Sequence, residues 1–92
     1  MKFINKYKST NYNNRSHNSS IKYIILHYTA MESDLEAISH LCDKKSKVSA
    51  HFLVNKLGKI YKLVDIKHRA WHAGKSCWNN IIDINSNSIG IE

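Results

Sequence analysis

Ile21-Lys22-Tyr23-Ile24-Ile25-Leu26-His27-Tyr28 is rich in β-branched and aromatic side chains, and its apolar core is too short for a helix. It reads as a buried, central strand. Directly after it, Ser33-Asp34-Leu35-Glu36 has the form of a capping box, in which Ser33 accepts from the third backbone N–H and Glu36 reaches back to the cap. Met31, Leu35, Ile38, Leu41 and Cys42 then recur at steps of three and four. That spacing predicts one apolar face of a helix over 33–45, closed by the cluster Lys44, Lys45 and Lys47.

Further along, Ala50 to Val64 holds two β-prone runs around Gly58, which can adopt positive φ, and so predicts a hairpin. Residues 65–87 carry Asp65, His68, Trp71, His72, Gly74, Trp78 and several Asn without a period, the pattern of a long irregular loop. Ser88-Ile89-Gly90-Ile91-Glu92 begins another apolar strand and ends on its charged residue. Upstream, residues 1–20 contain Lys2, Lys6, Lys8 and Arg15, no acid, and the polar run from Ser9 to Asn14. Such a leader buries too little surface to offset its ordering entropy and is expected to be a mobile basic arm ahead of a domain over 21–92.

The whole chain has 92 residues, room for one small domain or part of one. Hydrophobic residues make up 42% and charged residues 23%, so neither wholesale disorder nor a fibre is indicated. Fourteen Lys and Arg against seven Asp and Glu leave a net charge of +7, which suits an anionic partner: nucleic acid, a lipid headgroup or a polyanionic wall. Part of that basicity is compatible with A/T-rich coding, since Ile, Lys and Asn are abundant and Pro is absent. Cys42 and Cys77 stand far apart and read as free thiols rather than a redox pair or a thiolate metal site. No run approaches the length of a membrane span, and no cleavable signal is visible.

His27 closes a strand of apolar neighbours, as a hydrogen-bonded core histidine or as a metal ligand or base. His51, at the entry to the hairpin, is open to the same two roles. Trp71-His72-Ala73-Gly74 combines an aromatic, an imidazole and a turn, as a groove wall that stacks on a ligand would, or as an anchor of the loop to the core. His68 and His40 are expected to face solvent, and His17 lies in the arm. Glu92 is the only acid in its run; a desolvated carboxylate there would suit a base acting on water, and an exposed one would be inert.

Four blocks taken together carry a resemblance: Leu26-His27-Tyr28-Thr29-Ala30; Val48-Ser49-Ala50-His51-Phe52-Leu53-Val54; Arg69-Ala70-Trp71-His72-Ala73-Gly74-Lys75-Ser76-Cys77-Trp78; and Asn85-Ser86-Asn87-Ser88-Ile89-Gly90-Ile91-Glu92. In order, spacing and local text they resemble the zinc-dependent N-acetylmuramoyl-L-alanine amidases, the group that includes phage amidase lysozymes and peptidoglycan recognition proteins. The wording is most similar to the bacterial envelope amidases, with the cytosolic recycling amidases as close relatives. The resemblance implies a mixed α/β fold, a central mixed β-sheet with flanking helices, incomplete at its C-terminal end. It also implies a groove with Zn2+ that cuts the amide between N-acetylmuramic acid and L-alanine of peptidoglycan or a muropeptide. On that pattern His27 matches the first metal ligand, Glu92 the catalytic glutamate, and Trp71 and His72 the substrate-binding motif. His51 matches a family histidine better read as structural, or as a support behind a ligand, than as a ligand. The family's second histidine and final Asp or Cys ligand have no counterpart before Glu92, so the chain reads as a truncated product. The implied location is the cell envelope, periplasmic or secreted, with a cytoplasmic product as the alternative. Two other functions are weighed beside hydrolysis: a muropeptide-binding remnant that does not cleave, and a small basic nucleic-acid binder.

Overall fold

The computed structural model describes residues 2–28, 31–74 and 83–92. In chain order the elements are β1 (Phe3–Ile4), β2 (Tyr12–Asn14), β3 (Tyr23–Leu26), α1 (Asp34–Cys42), β4 (Phe52–Val54), β5 (Ile60–Lys62), β6 (His68–Ala70), a 3-10 turn (Ile84–Asn87) and β7 (Ser88–Ile91). Five strands form a mixed sheet in the order β1-β5-β4-β7-β3, and β2 pairs with β6 in a second, two-stranded sheet. The β4–β5 pair is antiparallel, whereas β1–β5, β4–β7 and β3–β7 are parallel. This is the mixed α/β architecture expected.

The hairpin follows from its turn chemistry. Gly58 takes φ of 82°, and Asn55 Oδ1 accepts from the backbone N–H groups of Leu57 and Lys59, so the loop's own donors are satisfied locally. Asn55 Nδ2 and the Tyr61 hydroxyl both donate to Asp34 Oδ2, which ties the hairpin to the first turn of α1. The core lies between α1 and one face of the sheet: Ala37, Ile38 and Leu41 pack on Ala50, Leu53 and Leu63. The opposite face carries Ile24 and Leu26, 66% and 76% exposed. Among the described residues no helix is long and apolar enough to cross a membrane.

Several expectations are corrected. The Ile21–Tyr28 segment does form a strand, but β3 lies at the edge of the described sheet and β7 is interior, because apolar content marks a strand without naming its neighbours. The helix starts as expected, with Ser33 Oγ accepting from Glu36 N at 3.1 Å, although the Glu36 carboxylate accepts from Glu32 N rather than from the cap itself. It ends at Cys42, three residues early, because Ser46 Oγ donates to the carbonyls of His40 and Asp43 and draws the chain into a turn. Leu35 is 64% exposed and contributes nothing to the core. Within the described residues of 65–87, His68–Ala70 form β6 and Ile84–Asn87 the 3-10 turn, where the sequence predicts an irregular loop. His68 is half-buried and stacks on Tyr12 with ring centroids 4.3 Å apart.

The mobile arm is the largest correction. Residues 3–4 and 12–14 are paired strands, and Ser9 and Asn11 are buried. Polar residues can be buried when every group finds a partner. Ser9 Oγ donates to Leu41 O, and Asn11 Nδ2 donates to the carbonyls of Asp43 and Val48, so the segment straps the end of α1 to the sheet. Arg15 goes deeper. Its Nη1 donates to the carbonyls of Asn85, Ser86 and Ser88, each at 3.0 Å, and its Nη2 to Ile66 O at 2.8 Å.

Candidate functional site

Strands β3 and β7 run parallel in the register Tyr23↔Ser88 through Leu26↔Ile91. The next residues in that register are His27 and Glu92, and aligned residues of neighbouring strands share a face. His27 N donates to Ile91 O at 2.8 Å, which carries the ladder one step further. On its other side the Glu92 backbone is bracketed by β4, with Glu92 N donating to Phe52 O and Glu92 O accepting from Val54 N. Both side chains are half-buried and line one open groove of about 520 Å³ together with Tyr28, Glu32, Asp34 and Asn55. An adjoining hollow of about 250 Å³ on the helix side is lined by Tyr28, Met31, His40, His72 and Glu92.

Burial pushes the Glu92 carboxyl above the usual carboxylate range, with charge on His27 and His40 pulling the other way. A carboxyl biased toward retaining its proton, in a groove open to solvent, is placed to exchange protons with water.

His72 lies over β7 at Gly90. A Cβ built on Gly90 would come within 2.3 Å of His72 Cγ, so only glycine leaves room for the ring. Asn85 holds the backbone beneath it: Oδ1 accepts from the N–H groups of His72 and Ala73, and Nδ2 donates to Ala73 O. Both ring nitrogens of His72 are engaged, Nδ1 with His27 Nε2 at 2.8 Å and Nε2 with Ser88 Oγ at 2.9 Å. Burial first, then electrostatic interaction with His27, His51, Arg15 and Arg69, pushes its pKa down to about 3. The imidazole is held neutral.

His51 is fully buried. Its Nδ1 accepts from Gly90 N–H at 3.1 Å, so Nε2 carries the proton and donates to His68 O at 2.8 Å. No nitrogen of His51 is left for a metal. Trp71 pairs its backbone with Ser49 and donates from Nε1 to Asn13 Oδ1 at 3.0 Å, linking the loop to β2. The structure therefore brings His27, His72 and Glu92 together and fastens Trp71 to the second sheet. Of the cysteines, Cys42 is a half-buried free thiol; Cys77 and Trp78 lie outside the described residues.

Among the described residues no three His, Cys, Asp or Glu side chains converge as a metal ion would require. A catalytic zinc takes three protein donors and keeps a fourth position open. The side chains described do not fit a zinc ion by themselves.

Sequence reading missed the support beneath the site. Arg69 donates to Asp83 from Nη2 at 2.8 Å and from Nε at 3.1 Å, and the hydroxyls of Ser16 and Ser86 donate to the same carboxylate. Burial pushes Asp83 up, but those bonds overcome it and hold the carboxyl well below the usual range. A depressed carboxyl stabilises the fold above its unfolded pKa of about 3.9, and that contribution is lost as pH falls through the folded value. The difference in urea midpoint between the chain and its Asp83→Asn variant should accordingly be constant above pH 5 and shrink below about pH 4. An unchanged difference down to pH 2.5 would show that the pair does not hold the turn.

Comparisons with known proteins match this chain in sequence and in fold. A family model described as N-acetylmuramoyl-L-alanine amidase matches residues 17–92. N-acetylmuramoyl-L-alanine amidase AmiD of Escherichia coli K12 is 40% identical over 79 residues, 78% of this chain and 28% of AmiD. The 1,6-anhydro-N-acetylmuramyl-L-alanine amidase AmpD of Citrobacter freundii is 44% identical over 55 residues, 60% of this chain and 27% of AmpD. The chain thus spans under a third of each of these relatives. A crystal structure of an AmpD derivative superposes with a TM-score of 0.82 at 24% identity, covering 97% of this chain and 59% of that one, and shares its fold. A mutant endolysin from Bacillus subtilis matches with a TM-score of 0.68 at 30% identity, covering 99% of this chain and 59% of the endolysin. With its family model matched across all but the first sixteen residues and its fold superposing on an AmpD, the chain belongs to the N-acetylmuramoyl-L-alanine amidase family.

Proposed function

We propose that this chain is a peptidoglycan amidase domain, acting at the cell envelope on the amide between the lactyl group of N-acetylmuramic acid and L-alanine. The observation that carries this reading is that His27 and Glu92 stand opposite each other on adjacent parallel strands, one step beyond Leu26↔Ile91, both lining one groove. Glu92 is the group that takes a proton from the attacking water and returns it to the departing amine of L-alanine. Its raised affinity for protons supports both halves of that exchange. The family is one of zinc amidases, but among the described residues the donors fall short of a three-ligand site.

A second reading is favoured by that same shortage of donors: the groove holds muropeptide without cutting it. Incubation of the chain with a defined muropeptide and zinc separates the two. Hydrolysis predicts free stem peptide accumulating with time; binding alone predicts intact muropeptide that stays bound in chelator. Neither release nor binding would remove both readings.

A further inference from the structure

His27, His72, Ser88 and Ile84 form a chain of hydrogen bonds whose direction is set at one end. The Ser88 hydroxyl has a single proton, and Oγ lies 2.7 Å from the Ile84 carbonyl, which can only accept. With that proton committed, Ser88 Oγ must accept from His72, so His72 carries its proton on Nε2. Nδ1 of His72 is then an acceptor, and His27 must donate to it from Nε2 at 2.8 Å. A neutral His27 protonated on Nε2 keeps the lone pair of Nδ1 outside this chain of bonds, and the residue lines the groove. Reversing the chain would place the His27 proton on Nδ1 and leave that nitrogen unable to accept one.

We propose that His72 is a positioning residue: held on Gly90 and directed by Ser88, it fixes the tautomer and the ring orientation of His27, rather than contacting substrate. Three observations agree with this role. Both His72 nitrogens are occupied, leaving none for a ligand. The glycine at 90 is the space its ring requires. Asn85 clamps the backbone of residues 72–73 with three hydrogen bonds, so the ring is held from below as well as from the side. A partner that orients a functional imidazole from behind is a recurrent device, since the second ring nitrogen decides what the first can do.

The use made of His27 rests on the amidase reading; the tautomer does not, and it can be measured without metal or substrate. Long-range ¹H–¹⁵N correlation spectra of ¹⁵N-histidine-labelled, chelator-treated full chain distinguish the two neutral forms at pH 7.5. The expected result is the Nε2–H form alone for both His27 and His72. Ser88→Ala should turn both rings into tautomer mixtures while the amide spectrum keeps its dispersion, and Ser88→Thr should restore the single form. An Nδ1–H form of His27 in the unaltered chain overturns the proposal, and so do spectra of the Ser88→Ala variant in which both rings stay Nε2–H. If Ser88→Ala does not fold, the unaltered chain alone decides the direction. Absence of muropeptide cleavage would remove the amidase reading and leave the tautomer result standing.

Discussion

Arg15→Ala is expected to cost about 3–5 kcal/mol of stability, read as a fall in the urea midpoint with unchanged denaturant slope. The guanidinium serves four carbonyls at once, those of Ile66, Asn85, Ser86 and Ser88. Three of these belong to the 3-10 turn and the first residue of β7, where a run of outward carbonyls favours a cation. Truncation leaves those acceptors facing a partly buried gap, and each lost bond to a charged donor is worth roughly 1.5–3 kcal/mol before water enters. Arg15→Lys should recover less than half, since an ammonium cannot span the fork from Ile66 to Ser88. A loss under about 1 kcal/mol would mean that the turn stands without its cation.

The same residue shows where sequence reading stops. Composition places Arg15 in a polar, basic leader, yet its carbonyl partners lie 51 to 73 positions away, a distance no local pattern registers. Ser9 and Asn11 are buried for the same kind of reason, each satisfied by carbonyls more than thirty residues on. By contrast the hairpin and the start of α1 are legible because Gly58, Asn55, Ser33 and Glu36 act within four residues of themselves. The end of α1 is not, because a single hydroxyl at Ser46 outweighs the helix-compatible lysines around it.

In the site, motif text singles out His27, His72 and Glu92, and the fold gathers them. What the text cannot supply is the direction of the hydrogen bonds, which depends on Ser88 reaching Ile84 O and on the ring resting against Gly90. The charge of +7 also overstates the surface, since the Arg15 guanidinium is spent on internal carbonyls. That weakens the case for a nucleic-acid partner made on charge alone.

Glu92→Gln is expected to lower the rate of muropeptide cleavage by about 10²–10⁴-fold, the range lost when a positioned proton-transfer group is removed. The substitution keeps size and the backbone bonds to Phe52 and Val54, so the sheet should be retained and affinity for substrate should change little. The loss belongs in kcat rather than KM, because the amide of glutamine can still hydrogen-bond but cannot carry the proton. A variant that keeps a tenth or more of the original kcat would show that another group handles the proton. Equal losses in binding and turnover would point instead to a carboxylate that holds substrate.

Hydrolysis of a defined N-acetylmuramoyl-L-alanyl peptide in H₂¹⁸O, with both products weighed by mass spectrometry, is the most direct test of the assigned bond. Attack of water on the lactyl carbonyl predicts one ¹⁸O in the muramic carboxylate and an unlabelled peptide beginning with a free L-alanine amine. Label in the peptide, or intact substrate under conditions in which an AmpD cleaves its own, would contradict the assignment of this groove to amide hydrolysis.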